Sequence, residues 1–358
     1  MTTPMNQHTK LPTDLRLKLA KDMLQVFLPI NSDRVKAALG KPTSGLGHIT
    51  PLTLTDFLQY AEKAGLIDKP WDVAFQIRAL AEQLTVAGLL QRMPGAGPPP
   101  FLDAYYAMNQ GATKAQASGD LWLSEVLGPE FLIRSFMAST IAVTGTNTDG
   151  DPQIGTGLLI DDKHILTNRH VVDGMTVDSA LKTSTSAPPD SAGTSVPPIE
   201  LQVTKTTSHT SSAGPDKHID VAILEVSGLE GKYSLGAGIA FRDPQWSDSA
   251  WTLGYPPVPM TRESAIVVHR GEVVNPHIVG LTGLDLMLFS AIARPGNSGG
   301  PIVAQDGRVV GMVAEELSKK DSAEAPFYAG IPVREIVRAL TEMGYPDLLN
   351  VETWEAAR

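Results

Sequence analysis

Apolar residues recur at helical spacing through the N-terminal quarter of the chain. Four of them stand at successive steps of four and predict a helix that Thr13 caps and that ends before Pro29: Leu15, Leu19, Met23 and Phe27. Asn31 or Ser32 can cap a second short helix, which Gly40 closes.

Two more helices follow. Thr55 opens the third helix and Gly65 ends it. The fourth has Pro70 near its first turn, and four of its apolar side chains are expected to point inward: Trp71, Phe75, Leu80 and Leu84. The pattern predicts a small all-α helical bundle over residues 1–90.

The helical pattern then breaks. MPGAGPPPF (93–101) and GATKAQASGD (111–120) are rich in Pro, Gly and small residues, with one weak helical stretch around 102–108 between them. We interpret residues 91–118 as a linker.

Short β-rich runs fill the rest of the chain. They read TIAVTG, GTGLLID, HILTN, IELQVT, DVAILEV, AWTLGY, AIVVHRGEVV, LMLFSAI, PIVAQ, RVVGMV and FYAGIPV. Many short strands at this spacing predict an all-β barrel or sandwich domain over residues 119–358, with a C-terminal helix from Val333. The Ser/Thr/Pro-rich stretch 176–218 predicts a mobile surface loop.

Composition narrows the functional classes. The net charge of −10 argues against nucleic acid as a partner. No apolar run reaches the ~20 residues of a membrane helix, and the N terminus does not read as a secretion signal. The chain has no cysteine, which excludes disulfides and is expected of a cytoplasmic protein. Neither a zinc pattern nor a nucleotide-binding loop occurs, so no metal and no cofactor are predicted.

Three residues of the β-rich part have the chemistry of a catalytic triad. His170 follows an apolar strand in LTNRHVV, Asp220 begins DVAILEV, and Ser298 lies in the glycine-dense turn GNSGGP. A serine hydroxyl becomes a nucleophile when a neighbouring base accepts its proton, which His170 would do near neutral pH. Asp220 would fix the tautomer of that imidazole and stabilise the imidazolium.

The glycines around Ser298 would shape an oxyanion hole. They allow a turn in which the backbone N–H groups of Gly296 and Ser298 point to one place, where the oxyanion of a tetrahedral intermediate would sit. Three other carboxylates compete for the acidic role: Asp161, Asp162 and Asp216. Each triad residue alone also has a purely structural explanation, but their joint occurrence on strands favours a hydrolase.

Together GTGLLI, LTNRHVV, DVAIL and GNSGGPIV resemble the trypsin-like (chymotrypsin-fold) serine peptidases, particularly their bacterial intracellular branch. The resemblance implies two six-stranded barrels with the site between them. It also implies a triad of His170, Asp220 and Ser298 and an oxyanion hole at Gly296 and Ser298. Many digestive members carry an aspartate before the nucleophile that binds a newly cut amino terminus, whereas this chain has Asn297.

The same resemblance implies a substrate pocket, for which six residues are candidates: Ile292, Ala293, Ala314, Glu315, Glu316 and Tyr328. Ile292 would form its floor. An isoleucine cannot pair with a cation, so we expect an apolar residue before the scissile bond. The alternative is that Glu315 or Glu316 turns inward and selects Arg or Lys.

The N-terminal helices, together with the segment LWLSEVLGPEFLIRSFMASTIAV (121–143), resemble bacterial peptidases that carry a small effector-associated or death-fold-like domain ahead of the protease. This resemblance implies recruitment by a protein partner, often in anti-phage defence signalling. The sequence therefore predicts a cytoplasmic serine endopeptidase that makes limited cuts in a partner protein under control of this domain. The alternatives are a catalytically idle pseudo-protease scaffold, a housekeeping protease, an esterase, and an N-terminal bundle that only aids folding.

Overall fold

The computed structural model describes residues 10–43, 51–93, 101–107, 118–183, 198–229, 238–262, 264–317 and 327–352. The chain divides into two compact units. The first comprises Met1–Gly111 with Glu125–Leu127, and the second comprises Ala112–Ser124 with Gly128–Arg358.

Helices and a small antiparallel sheet build the first unit. The helices are α1 (Thr13–Val26), α2 (Ser32–Leu39), α3 (Leu54–Lys63) and α4 (Ala74–Val86). The strands are β1 (Leu52–Thr53), β2 (Leu90–Met93) and β3 (Ala104–Ala107), in the order β1-β3-β2.

Local signals determine where these helices begin and end. Gly40 stops α2 in the left-handed region at φ +70°, as predicted. Helix α3 begins one residue before the expected Thr55, because Thr53 is its cap. The Thr53 hydroxyl accepts the Asp56 N–H, and the Asp56 carboxylate accepts the Thr53 N–H.

The prediction that Trp71 and Phe75 point inward is wrong, since these side chains are 44% and 56% exposed. The buried positions of α4 repeat at i, i+3, i+4 and i+7: Ile77, Leu80, Ala81 and Leu84. Phe75 stands two residues before Ile77, about 200° around the helix, and therefore faces away from this core.

The predicted weak helix around 102–108 is also wrong, because Ala104–Ala107 is the central strand β3. Its Tyr105 is buried, with its ring 5.3 Å from that of Phe27. Aromatic residues favour strands, and this ring supplies apolar contact that a linker would not make. Of the predicted linker, residues 91–93 and 104–107 thus belong to a sheet, while 94–100 and 108–117 lie outside the described residues.

Two β-structures build most of the second unit. A seven-stranded half-barrel has the order β7-β4-β5-β6-β10-β9-β8. Its strands are β4 (Thr140–Thr146), β5 (Pro152–Leu159), β6 (His164–Thr167), β7 (Thr176–Val177), β8 (Ala180–Lys182), β9 (Glu200–Ser208) and β10 (Ala222–Ser227).

A closed barrel follows, in the order β11-β12-β13-β16-β15-β14. Its strands are β11 (Ser249–Gly254), β12 (Val267–Val279), β13 (Asp285–Phe289), β14 (Pro301–Ala304), β15 (Val309–Leu317) and β16 (Phe327–Pro332). The chain also has the helices α5 (Ser124–Leu127), α6 (Pro129–Ser139), α7 (Arg169–Asp173) and α8 (Val333–Glu342).

The predicted fold class is confirmed: a helical N-terminal region precedes a β-rich, chymotrypsin-like domain with a C-terminal helix. Two details differ from expectation. The described strands of the first β-structure form a half-barrel, with β7 and β8 at its edges, rather than a closed barrel of six. The stretch 176–218 was expected to be a mobile loop, yet it contains β7, β8 and β9, while 184–197 lie outside the described residues.

Each β-structure has its own apolar core. Ile141, Val143, Ile165 and Leu224 are buried in the half-barrel. Met287, Phe289, Ile302 and Val310 are buried in the closed barrel. Within the described residues, no helix has the length and apolar character needed to cross a membrane.

Candidate active site

Strand pairing brings His170 and Asp220 together. Strands β6 and β10 are antiparallel, with Thr167 opposite Ala222, so the residues just after β6 adjoin those just before β10. His170 Nδ1 lies 2.7 Å from Asp220 Oδ2, and the His170 backbone N–H donates to Asp220 Oδ1 at 2.8 Å. Because Nδ1 faces a carboxylate, the proton belongs on Nδ1 and Nε2 is left as the base.

Asn168 also binds the segment that carries Asp220. It is fully buried, and its Nδ2 donates to the backbone carbonyl of Asp220 at 2.9 Å. Sequence reasoning did not assign Asn168 a role. A polar residue directly after the apolar strand β6 was the available signal.

The turn around Ser298 requires glycine on both sides. Gly296 has φ +94°, and a Cβ there would lie 2.6 Å from the Tyr255 carbonyl oxygen. Gly299 has φ +86°, and a Cβ there would lie 2.0 Å from the Thr156 carbonyl oxygen. Among the described residues, the N–H groups of Gly296 and Ser298 have no protein acceptor, as the donors of an oxyanion hole require.

Thr156 on β5 anchors this turn. Its backbone N–H donates to the Ser298 carbonyl at 2.9 Å, and its hydroxyl donates to the Gly296 carbonyl at 2.6 Å. The same hydroxyl oxygen accepts the Tyr255 N–H at 2.9 Å. Thr156 is fully buried and was not singled out in the sequence; its position between two glycines in GTG was the signal.

The Ser298 hydroxyl is hydrogen-bonded to a backbone carbonyl. Its Oγ donates to the Ala314 carbonyl oxygen at 3.1 Å. Rotation about χ1 would release this bond and free the hydroxyl. Catalytic hydrogen bonds are often long or unformed until substrate binds, so this arrangement is compatible with nucleophilic catalysis.

His170, Asp220 and Ser298 line a single cavity of about 750 Å³. Its other walls are largely apolar: Ile219, Leu284, Leu286, Ala293, Pro295, Val313, Ala314 and Ile331. The remaining lining residues are polar or charged: His218, Thr282, Asp285 and Arg294. The cavity thus places the candidate triad beside an apolar space that can hold a side chain.

The six predicted pocket residues separate into three groups. Ala293 and Ala314 line the cavity. Ile292 does not line it and is 43% exposed, and the Tyr328 ring instead stacks on Phe289 at 6.1 Å. The side chains of the other two, Glu315 and Glu316, lie outside the described part of the structure.

The negative charge of Asp285, which lines the cavity, is largely compensated by neighbouring side chains. Burial opposes ionisation of Asp285, but hydrogen bonds from His277 and Arg334 outweigh it and hold the pKa of this carboxyl below its usual range. The ion pairs measure 3.0 and 3.2 Å, respectively. Asp285 therefore stays ionised, and its carboxylate is bound by the His277 ring and the Arg334 guanidinium.

The competing acids are placed elsewhere or not described. Asp161 accepts from His164 Nδ1 at 2.7 Å, and Asp162 is exposed. The side chain of Asp216 lies outside the described residues. No cluster of three or more potential metal ligands is found in the described part of the chain.

Comparison with known proteins gives one family and a remote structural likeness. Residues 155–312 match the family model of the trypsin-like peptidase domain. No curated protein matches the chain. The Rv3671c protease in its inactive form gives a TM-score of 0.42 at 20% identity, over 60% of this chain and 93% of that chain. Its active form, from M. tuberculosis, gives 0.41 at 20% identity, over 60% and 84%.

Proposed function

We propose that this chain is a serine endopeptidase with Ser298 as nucleophile, His170 as general base and Asp220 as the acid that orients it. Ser298 Oγ attacks the scissile carbonyl while His170 Nε2 takes its proton. The oxyanion that forms accepts the N–H groups of Gly296 and Ser298. His170 then returns the proton to the leaving amine, and water hydrolyses the acyl-enzyme by the same steps.

The observation that carries this proposal is the combination of two preset geometries at one cavity. The 2.7 Å contact between His170 Nδ1 and Asp220 Oδ2 leaves Nε2 as the basic nitrogen. The turn at Ser298 keeps two N–H donors without an acceptor among the described residues. A histidine paired with a carboxylate has many structural explanations by itself, whereas such a pair together with two N–H donors at the turn of a serine is the arrangement that acyl transfer uses.

We propose an apolar residue immediately before the scissile bond. Ala293, Ala314 and Ile331 offer apolar surface. A substrate cation would meet Arg294 on the lining, and Asp285 is already paired. Burying an unpaired charge is costly, so Arg and Lys should be poor substrates. Fluorogenic peptides varied at this residue test the preference; selection for Arg or Lys that is lost in Glu316→Gln would contradict it.

We further propose that the N-terminal unit recruits a cytoplasmic protein partner, in the manner of bacterial anti-phage signalling, and that cleavage is limited to that partner. The resemblance of the helices to effector-associated domains supports this step. A Ser298→Ala chain expressed in its host should trap the partner, which mass spectrometry would identify. Recovery of a broad set of unfolded proteins would instead favour a housekeeping protease.

The proposed chemistry is tested by covalent labelling and peptide hydrolysis. A fluorophosphonate should modify Ser298, and Ser298→Ala should lower hydrolysis by several orders of magnitude while leaving the circular dichroism spectrum unchanged, because a triad acts as a unit. A folded wild-type protein that takes no label would support the pseudo-protease scaffold. Turnover of esters without peptides would support an esterase.

A further inference from the structure

His209 is a buried histidine outside the proposed triad. It contacts both the segment that carries His170 and the segment that carries Asp220. His209 follows β9 directly and is 1% exposed. Its backbone N–H, its carbonyl and both ring nitrogens all have hydrogen-bond partners. A fully partnered buried histidine of this kind rigidifies the segments that it joins.

The first of these segments is the turn that presents Asp220. The Val221 N–H donates to the Ile219 carbonyl at 2.8 Å, which closes a three-residue turn with Asp220 at its apex. His209 then binds both outer groups of the turn. Its N–H donates to the Val221 carbonyl at 2.9 Å, and its Nδ1 accepts the Ile219 N–H at 2.9 Å.

The second segment is helix α7, which carries His170. Arg169 Nη1 donates to the His209 carbonyl at 3.1 Å, and Arg169 Nε pairs with Asp173 at 2.7 Å. Ser208, the residue before His209, donates its hydroxyl to the same Asp173 at 2.9 Å. Ser208 and His209 are therefore hydrogen-bonded to the helix that carries His170, and His209 is also bonded to the turn that carries Asp220.

The ring of His209 has a defined tautomer. Because Nδ1 accepts a backbone N–H, it carries no proton, and Nε2–H donates to Glu342 on α8 at 2.8 Å. Nδ1 thus faces the Asp220 turn, and Nε2 faces the C-terminal helix. The two ends of the ring can be tested separately.

We propose that His209 is a positioning residue that holds Asp220 against His170 through its Nδ1 bond to the Ile219 N–H. The proposal rests on the proposed peptidase function for its catalytic consequence. Loss of this bond frees one end of the turn, and a displacement of ~1 Å at a catalytic group can cost ~10²-fold in rate. Because Asp220 acts on the base and not on substrate, kcat should fall while KM stays constant.

A matched pair of variants separates the two ends of the ring. His209→Asn places an amide oxygen near the former Nδ1 position and keeps an acceptor for Ile219. His209→Gln places its amide near Nε2 and keeps the bond to Glu342, but offers nothing to Ile219. We expect His209→Gln to lower kcat by ~10–10²-fold at constant KM and His209→Asn to stay close to wild type. Glu342→Gln, the control for the other end, should leave kcat unchanged.

Two NMR measurements test the same bond without turnover. In the wild type, the nitrogen shifts of His209 should show the proton on Nε2. The downfield proton of the His170 Nδ1–H bond to Asp220 should persist in His209→Asn and broaden or vanish in His209→Gln. A wild type that neither cleaves peptides nor takes a fluorophosphonate would refute the peptidase, while these spectra would still decide the role of His209.

Several results of these experiments would overturn the proposed role of His209. Equal kcat in the Asn and Gln variants, whether both high or both low, would overturn the proposal, as would a proton on Nδ1 of His209. Should His209→Gln fail to fold, the wild-type tautomer and the preserved kcat of His209→Asn decide the matter. Retention of the His170 signal in a folded His209→Gln would also overturn it.

Discussion

Gly296→Ala tests the proposed oxyanion hole without changing a residue of the proposed triad. Gly296 has φ +94°, a backbone region that residues with a Cβ rarely adopt. Its surroundings are also full: the added Cβ would lie 2.6 Å from the Tyr255 carbonyl oxygen, 2.9 Å from Pro256 Cα and 3.2 Å from Pro257 Cδ. The first two of these neighbours are backbone atoms, so no side-chain rotation relieves the contact.

The expected cost has two parts. A left-handed conformation at alanine costs about 1–2 kcal/mol of folding stability. Forcing an extra methyl group into a packed site costs about 1–3 kcal/mol more. The chain can escape the clash by turning the peptide of Gly296, but its N–H then leaves the oxyanion site. Loss of one such donor lowers kcat by ~10²–10³-fold.

Gly150→Ala is the matched control. Gly150 has φ +88° in the turn between β4 and β5, and a Cβ there meets nothing within 4 Å. Gly150→Ala therefore has the same conformational cost as Gly296→Ala, but it causes no steric clash and lies away from the proposed oxyanion hole. Chemical denaturation and steady-state hydrolysis of a fluorogenic peptide compare the two variants. If Gly296→Ala kept wild-type kcat in a folded protein, the assignment of its N–H to the oxyanion would be refuted.

Three further predictions concern charge and protonation. Asp220→Asn should lower kcat by up to ~10⁴-fold with little change in KM, whereas Asp161→Asn should have no effect; equal activity of the two variants would move the acidic role elsewhere. Peptide hydrolysis should rise with pH through about 6–7, where an unperturbed imidazole loses its proton, and a flat profile there would argue against a histidine base. Burial opposes ionisation of Asp56, but hydrogen bonds from Lys41 and the α3 cap outweigh it and lower its pKa. Its charge therefore stabilises the fold above the unfolded pKa near 3.9 and stops doing so as pH falls through the lower folded value. Asp56→Asn should cost about 1 kcal/mol in denaturation at pH 7. The difference should shrink below pH ~4, and an equal difference at both pH values would contradict this account.

The order of elements in the second unit was predictable because its signals are local. Runs such as DVAILEV and PIVAQ alternate or cluster apolar residues and became β10 and β14. The residues of the proposed triad could be picked out because each role needs a specific side-chain chemistry in a recognisable sequence setting. The helix from Val333 carries its own period, and Gly344 follows it at φ +90°.

The errors arose where long-range pairing outweighs local pattern. Ala104–Ala107 is too short for the alternation of its residues to predict a strand. It forms a strand because it pairs with both β1 and β2. The half-barrel could not be read from the sequence, because barrel closure depends on which edge strands meet.

The supporting residues of the site were hidden for a related reason. Thr156, Asn168 and His209 act through hydrogen bonds to the backbone of residues far along the chain. No spacing rule links Thr156 to Gly296 or His209 to Ile219. Such residues look like ordinary polar positions until the strands are paired.

These bonds constrain the backbone of the proposed site more strongly than they constrain the Ser298 hydroxyl. Asp220 and its turn are held by His170 (N–H and Nδ1), Asn168 (Nδ2) and His209 (N–H and Nδ1), and Thr156 holds the turn of Ser298 at two carbonyls. The Ser298 hydroxyl, by contrast, has a single bond of 3.1 Å to the Ala314 carbonyl. A neutral hydrogen bond contributes about 0.5–1.5 kcal/mol net, which corresponds to roughly a 2- to 13-fold preference for the resting rotamer. In the proposed mechanism, the Ser298 hydroxyl therefore has to give up only this one weak hydrogen bond before it can attack.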